Sequence, residues 1–592
     1  MSVSIRERQI ETLKSMLNFN QPLSSNPNLD EPQWKILIYD EFGQDIISPL
    51  LSVKELRDLG VTAYLLLNTD RDPIPDVPAV YFVSPTAENV ARLCQDLKNE
   101  LYESYYLNFV SPIPRTLLED IAQAAISANC VQQINKIFDQ YSNFISLEDE
   151  LFCLQHKNKD LVSYYALNKG DVTESEMNEM INIIADGLFA VFVTMGSVPI
   201  IRCAKGTAAE YIAFQRPLLV LLDRNFDLAT PLHHTWTYQA LLHDVFELEL
   251  NRINLETDSD APHATNKENK LYDLLNTDKF WKQQKGNPFP VVAESVQEEL
   301  EKYKQHDSKI QSLKNSVDGK NEDFFNETSK LSNAISSLPE LTEMKRFLEM
   351  HTNIATSLLD HIKKRKLDIF YETEEKIMGK ATLEKSIMEI LNDPEAGTND
   401  DKLRLIIIYY LCNQNLSQSE FDDYLIPKLR EINCDMGSIS YIKSYKTISK
   451  MNYSNQYGDS MTGTVNKFSN LLSKSSKFVM EGVKNLVVKQ NKFPITRITE
   501  NLMEQRASPE TDDYRYFDPK LIKSDGNRIR NPVSDALVFV VGGGNYIEYQ
   551  NLLDHAKAKA ANGYPKRIIY GCTDLINGSD LVRQFGKLGK SM

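Results

Sequence analysis

Residues 217–248 read PLLVLLDRNFDLATPLHHTWTYQALLHDVFEL, and the order of the parts in this stretch predicts an α/β protein. Residues 218–222 form an unbroken apolar run, which a parallel strand needs when helices cover both of its faces. Asp223 ends the run. Arg224, Asn225 and Asp227 are turn formers and mutual charge partners, and Pro231 forbids a further central strand. Thr235 is placed to cap a helix that carries Leu241, Leu242, Val245 and Leu248.

Two readings compete for the charged turn. An apolar strand ending in Asp is how many nucleotide-binding sheets present a magnesium-binding carboxylate. A buried or half-buried ion pair among Asp223, Arg224 and Asp227 that only fixes the turn is the structural alternative. A phosphate loop would decide for the first, since Gly-x-x-x-x-Gly-Lys-Ser/Thr lets backbone amides cradle phosphates. The nearest approach, GKLGKS at residues 586–591, is too short between its glycines and has one residue after it. Gly542, Gly543 and Gly544 follow an apolar run but lack the third glycine of the dinucleotide fingerprint. Residues 458–462, GDSMT, lack the glycine that completes a nucleophile elbow. His233, His234 and His243 include no pair at the spacing of helical zinc sites and read as a helix surface. An α/β hydrolase or nucleotide-binding enzyme therefore stands as the alternative reading.

Composition bounds the rest. The chain has 592 residues, too many for a single core. Its 66 basic and 82 acidic residues leave a net charge of −16, which disfavours a general nucleic-acid partner. Seven dispersed cysteines, none in Cys-x-x-Cys, suit reduced thiols in the cytosol. The first residues, MSVSIRERQ, are charged where a signal peptide would be apolar. The longest uncharged apolar run, residues 187–201, holds Gly196 and Pro199 and falls short of the ~20 residues that span a bilayer. Any membrane contact is expected to be peripheral.

Short apolar strands alternate with helices at 36–39, 53–59, 61–67, 79–83 and 105–110, which implies a parallel sheet covered on both faces. A second α/β pattern starts with a strand at 161–167 and a helix at 174–192, pauses near residue 252, and returns at 537–541, 546–560 and 567–570. Between these lies a charged, mainly helical stretch. The expected domains are 1–153, then 154–252 with 532–592, and a helical insertion at 253–531.

The opening stretch also carries a specific resemblance. Asp223-Arg224-x-x-Asp227, Pro231, Leu232, His234, Thr237, Tyr238, Gln239 and Asp244 together resemble the most recognisable motif of the SM (Sec/Munc) family, syntaxin-binding regulators of SNARE-mediated membrane fusion. The likeness continues through residues 101–110, LYESYYLNFV, and the C-terminal α/β segment, where it is similar to the Sly branch that serves traffic between endoplasmic reticulum and Golgi. It implies an arch of two parallel-sheet α/β domains with a large helical insertion in the second. It also implies a non-enzymatic cytosolic protein that needs no cofactor and no metal. Its expected partners are a Golgi syntaxin, the assembled SNARE bundle, a vesicle R-SNARE and vesicle tethers.

Three surfaces follow. Leu118, Ile121 and Ala122 are three and four apart on one helix, and Ile134 and Ile137 stand three apart on what reads as the next. From periodicity alone, both stripes can face the sheet or make a groove. The resemblance implies a groove that holds the N-terminal peptide of a syntaxin. Residues 338–378 read as a helical hairpin with Leu341, Met344, Leu348 and Leu358 along one side and a basic run at 363–366, where the resemblance implies templating of SNARE helices. In residues 461–488, Val465, Phe468, Leu472, Val479, Val483 and Leu486 recur at helical spacing among lysines and serines. The resemblance implies a lid there that can also touch a membrane.

Overall fold

The structure, a computed structural model, describes residues 3–21, 33–155, 161–204, 218–257, 268–317, 338–413, 416–452, 492–518 and 532–591. The chain divides into two compact units, one of residues 1–227 and 492–576, the other of residues 228–491 and 577–590.

The first unit opens with α1 (Ile5–Leu17), which begins at a capping box of Ser4 and Glu7 and seats Ile5 in an apolar core. Strands β1 (Lys35–Tyr39), β2 (Val61–Leu66), β3 (Ala79–Val83), β4 (Tyr105–Phe109) and β5 (Ile134–Asp139) form a five-stranded parallel sheet in the order β2-β1-β3-β4-β5. The sequences KILIY of β1 and AVYFV of β3 are buried throughout, as interior strands covered on both faces must be. Helices α2 (Ala87–Lys98) and α3 (Arg115–Ser127) lie on one face. Val90, Leu93 and Leu97 of α2, with Ile121, Ala124 and Ala125 of α3, share a core with Tyr81, Tyr105 and Leu107.

A second sheet of the same unit has seven strands: β6 (Ile145–Glu148), β7 (Leu151–Cys153), β8 (Ile200–Ala204), β9 (Leu218–Asp223), β10 (Tyr514–Phe517), β11 (Asp535–Val541) and β12 (Arg567–Cys572). Their order is β10-β8-β9-β11-β12-β7-β6, parallel inside and antiparallel at both ends. Strand β9 lies between β8 and β11, which is why residues 218–222 carry no polar side chain. Helix α4 (Glu174–Met195) starts at a Thr173–Glu176 capping box, buries Met180, Ile184, Leu188 and Val191 on this sheet, and ends at Gly196 with φ +62°. It is long and apolar enough to cross a membrane by length and composition; here its apolar face serves the core.

Several expectations about bounds need correction. The expected strand at 161–167 is a turn and a short helix, Tyr164–Asn168, because the Ser163 side chain accepts the Ala166 N–H and caps a helix. Residues 145–153, expected within the first domain, form β6 and β7, which pair into the second sheet. Residues 494–517, expected inside the insertion, belong to the first unit. There β10 pairs with β8, and the helix Pro494–Glu504 is tied to the helix Tyr546–Ala561 by a 2.6 Å bond from Thr496 Oγ1 to Asn551 Oδ1.

Asp227 supports the Arg224 charge as expected, but the main partner of Arg224 lies outside the turn. Arg224 is fully buried and grips Glu548 with two bonds, Nη2 to Oε1 at 2.7 Å and Nη1 to Oε2 at 3.0 Å. Its Nε and Nη2 also donate to the backbone carbonyl of Asp227, and Nη1 to that of Gly543. Asp223 Oδ1 accepts the Asn225 N–H. Glu548 in turn accepts the Tyr570 hydroxyl at 2.7 Å. Burial opposes the Arg224 charge, but Glu548 beside it holds the guanidinium firmly protonated. The Gly542–Gly544 turn lies against this pair. Gly543 has φ +108°, and a Cβ there would meet Ile576 at 2.6 Å. The amides of Gly542 and Gly543 donate to Thr573 Oγ1 at 3.0 and 3.1 Å, so the donors a phosphate would need are already used.

The second unit carries a three-stranded antiparallel sheet, Glu247–Glu249, Arg252–Thr257 and Glu268–Asp273, and long helices that include α5 (Phe289–Val317), α6 (Leu338–Arg365) and α7 (Asn399–Cys412). The helix Tyr238–Val245 starts after Thr237 rather than at Thr235, and no side chain caps it. Its Leu241 and Leu242 join Phe289, Val292, Ile354, Leu358 and Ile362 in one core. The C-terminal helix Gly578–Lys590, expected within the second α/β domain, packs in this unit against the helix Met436–Asn452. Glycines permit the contact: a Cβ on Gly589 would lie 1.9 Å from the Gly437 carbonyl oxygen.

Replacing Glu548 by Ala leaves the Arg224 cation unpaired inside the protein and is expected to destabilise the first unit by about 3–5 kcal/mol. A urea titration comparing Glu548→Ala with Glu548→Gln checks this; the Gln variant keeps an acceptor and is expected to lose less.

Candidate functional site

The candidate site lies at the open end of the five-stranded sheet. The loop before α3 contains Pro112 and Pro114, and the Ile113 N–H donates to Asp139 Oδ1 at 3.1 Å, which pins that loop to the end of β5. Helix α3 then spends Ile121, Ala124 and Ala125 on the core. Asp120 sits on the side facing α2, where its carbonyl accepts from Cys94 Sγ at 3.8 Å. Leu118 and Ala122 therefore occupy the opposite flank, toward β5. Both are exposed, Leu118 at 37% of its surface, and the stripe continues one turn further to Ile126 at 70%.

The second wall is a strand where a helix was expected. Ile134 and Ile137 belong to β5, the last strand of the sheet. In a regular strand residues three apart point to opposite faces. Here the register shifts: Tyr105 pairs with Ile134, Tyr106 with Lys136 and Leu107 with Ile137, so Asn135 is the extra residue of a bulge. Tyr105 and Leu107 both lie in the core under α3, so Ile134 and Ile137 share that face. Ile134 packs against the core, whereas Ile137 remains 38% exposed.

Leu118 and Ala122 on the β5 side of α3 and Ile137 on β5 are thus exposed apolar positions, while Ile121, 1% exposed, is turned into the core. Val131 in the connecting turn is 54% exposed and extends the apolar surface. Of the five residues singled out from sequence, Leu118, Ala122 and Ile137 are exposed, whereas Ile121 is buried and Ile134 packs against the core. Ile126 and Val131 were missed. Ile126 was legible as the next step of the i, i+4 series from Leu118 and Ala122; Val131 was not, because it sits in a single 3₁₀ turn with no period. Among the described residues β5 has a strand neighbour on one side only, an arrangement that suits an extended peptide.

The other expected surfaces fare differently. On α6, Leu348 and Leu358 are buried in the core of the second unit, while Met344 is 40% exposed; Leu341 lies near the start of the same helix. Helix α6 shares that core with α5 and ends at Lys366, whose φ of +50° starts a new helix, Leu367–Met378. The basic run is partly committed to ion pairs, Arg365 Nε with Asp401 Oδ2 at 3.0 Å and Lys366 with Asp393 at 3.0 Å. Val465, Phe468, Leu472, Val479, Val483 and Leu486 lie outside the described residues.

The histidines of the opening stretch, read as a helix surface, are buried in the second unit. His234 Nδ1 meets Glu374 at 2.8 Å and Nε2 meets Asp401 at 3.0 Å. Arg404, also buried, holds Asp244 with two bonds of 2.8 and 3.1 Å. Burial and the Arg404 charge oppose protonation of His234, but Glu374 and Asp401 outweigh them and raise its pKa above 6.5. The group gains affinity for its proton on folding, so its stabilisation is complete below pH 6.5 and is lost as pH rises through the raised native value. Unfolding followed by fluorescence of Trp236 and Trp281, both in this core, is expected to show stability falling above that pH in the wild type and a flatter profile in His234→Asn.

Comparison with known proteins places the chain among relatives of full length. A family model described as the Sec1 family matches residues 35–584. The human Sec1 family domain-containing protein 1 is 52% identical over 99% of this chain and 98% of its own. The Protein sly1 homolog of Drosophila melanogaster is 47% identical with the same coverage. The crystal structure of Sly1p in complex with an N-terminal peptide of Sed5p matches with a TM-score of 0.81 and 32% identity, covering all of both chains.

Proposed function

The chain belongs to the Sec1 family, and from that premise we propose that it binds the N-terminal peptide of a Golgi syntaxin and promotes SNARE assembly in vesicle docking and fusion between endoplasmic reticulum and Golgi. The observation that carries the reading is the exposed apolar surface of Leu118 and Ile126 on α3 and Ile137 on the edge strand β5, which we read as a groove. A relative that aligns over the whole chain has been crystallised with an N-terminal peptide of Sed5p. The same kind of ligand suits a groove whose side chains are apolar and whose open edge offers backbone hydrogen bonds.

In this mechanism an apolar or aromatic residue of the peptide enters beside Ala122, whose small side chain leaves depth between Leu118 and Ile137. Burying such a ring contributes about 2–3 kcal/mol, enough to tether the syntaxin to this protein. Tethering raises the local concentration of the SNARE segment. The exposed face of α6 around Met344 then holds SNARE helices in register, lowering the entropic cost of nucleating their bundle. The vesicle R-SNARE, the assembled bundle and vesicle tethers are further partners of this reading. Residues 461–488 act as the lid and touch membrane peripherally. The protein works without an enzymatic step, in the cytoplasm and at the surfaces of endoplasmic reticulum, Golgi and vesicles. The five-stranded sheet and its helices serve as the peptide-binding part, and the second unit, residues 228–491 with 577–590, as the SNARE-receiving part.

Leu118→Arg places a charge in the groove. Calorimetric titration with a syntaxin N-terminal peptide is expected to lose at least tenfold in affinity, while the melting temperature stays within a few degrees because Leu118 contributes little to the core. Unchanged affinity would refute the site.

A further inference from the structure

We propose that the turn after α1 is a clamp that positions β5 for peptide binding, with Lys136, Asn20 and Gln140 acting as positioning residues that touch no ligand; the proposal rests on the peptide reading above. An edge strand is held by a neighbour on one side only, and among the described residues β5 pairs with β4 alone. Its groove-facing residues, Ile134 and Ile137, must nevertheless keep a fixed distance from α3 if an anchor residue is to be gripped from both sides.

The reverse face of β5 shows what holds it. The register pairs Lys136 with Tyr106 and Phe138 with Asn108, so these four side chains point away from α3. Lys136 Nζ donates to the Phe19 carbonyl at 3.1 Å. The Phe19 ring lies against Tyr106 with centroids 4.4 Å apart. Gln140, the residue after β5, donates from Nε2 to Asn20 Oδ1 at 2.7 Å and to Asn108 Oδ1 at 2.8 Å. Asn20 Nδ2 completes the triangle by donating to Asn108 Oδ1 at 2.9 Å. Asn108 is itself fully buried and donates to the Tyr81 carbonyl in β3, so the clamp is anchored in the middle of the sheet.

Backbone conformation points the same way. Phe19 and Asn20 both have φ +57°, two consecutive left-handed residues without a glycine. A helix end commonly uses one such residue, and an aromatic is a poor choice for it. Strain of this kind persists only where surrounding contacts over-determine it. Here those contacts include the Phe19 ring on Tyr106 and under Lys35 Nζ at 4.5 Å, the Phe19 carbonyl on Lys136 and the Asn20 amide on Asn108 and Gln140. The chain thus accepts an unfavourable turn in order to reach the back of β5, directly behind the groove wall.

The test uses the full chain and a fluorescent syntaxin N-terminal peptide in stopped-flow dissociation. Lys136→Met and Asn20→Gly are each expected to raise the dissociation rate about tenfold, while Lys136→Arg, which can still reach the Phe19 carbonyl, stays near wild type. The dissociation rate is the deciding readout, because a variant that merely unfolds in part loses amplitude and leaves the rate of the folded fraction unchanged. Leu118→Arg is run alongside. If it abolishes binding while Lys136→Met and Asn20→Gly dissociate at the wild-type rate, the peptide reading stands and the clamp is overturned. If Leu118→Arg binds and dissociates as wild type does, the peptide reading falls and the clamp with it.

Discussion

The first unit depends on one buried ion pair. Arg224 and Glu548 are both fully buried and 2.7 Å apart, and they join the end of β9 to the helix after β11 across more than three hundred residues of sequence. Such a pair gains little over an apolar substitute, because desolvation consumes most of its attraction. Its value lies in specificity. A guanidinium with five donors in a fixed fork can be satisfied in this interior only when Asp227 and Gly543 turn their carbonyls inward and Glu548 lies opposite. The two strands that flank the switch from the N-terminal to the C-terminal part of the sheet are thereby held in one register. The division between the two units falls immediately after Asp227, so the pair fixes the point from which the chain departs.

Much of this was legible from residues 217–248. The apolar run announced a central strand, and β9 is central. The charged turn announced a structural joint, but its main partner, Glu548, was missed. Nothing local in the sequence connects Arg224 with Glu548, and the acidic neighbours Asp223 and Asp227 are the more obvious choice; only the fold shows that Glu548 takes the paired bonds of Arg224. The histidines illustrate the same limit. A helix surface is the economical reading of His233, His234 and His243, yet His234 is enclosed by Glu374 and Asp401, carboxylates from far along the chain.

The groove was half legible. Leu118 and Ala122 followed from helical spacing, which survives any tertiary context. Ile134 and Ile137 share a face because a bulge absorbs Asn135, and a spacing of three with a bulge cannot be told from a helical spacing of three. The bounds at 153 and 531 erred for a related reason. Short edge strands such as Leu151–Cys153 and Tyr514–Phe517 carry too few residues to show a period, and their place is set by pairing with strands distant in sequence. On α6, Leu348 and Leu358 satisfy an amphipathic pattern, which marks a face for burial without saying against what; the core of the same unit takes them.

Leu118, Ile126, Val131 and Ile137 leave apolar surface in water, and in the proposed function a peptide covers it part of the time. Hydrogen exchange by mass spectrometry, with and without a syntaxin N-terminal peptide, tests this directly. The account predicts slower exchange in residues 115–127 and 134–139 when peptide is present, with α6 unchanged. Protection elsewhere on the protein, with none in those two segments, would contradict it.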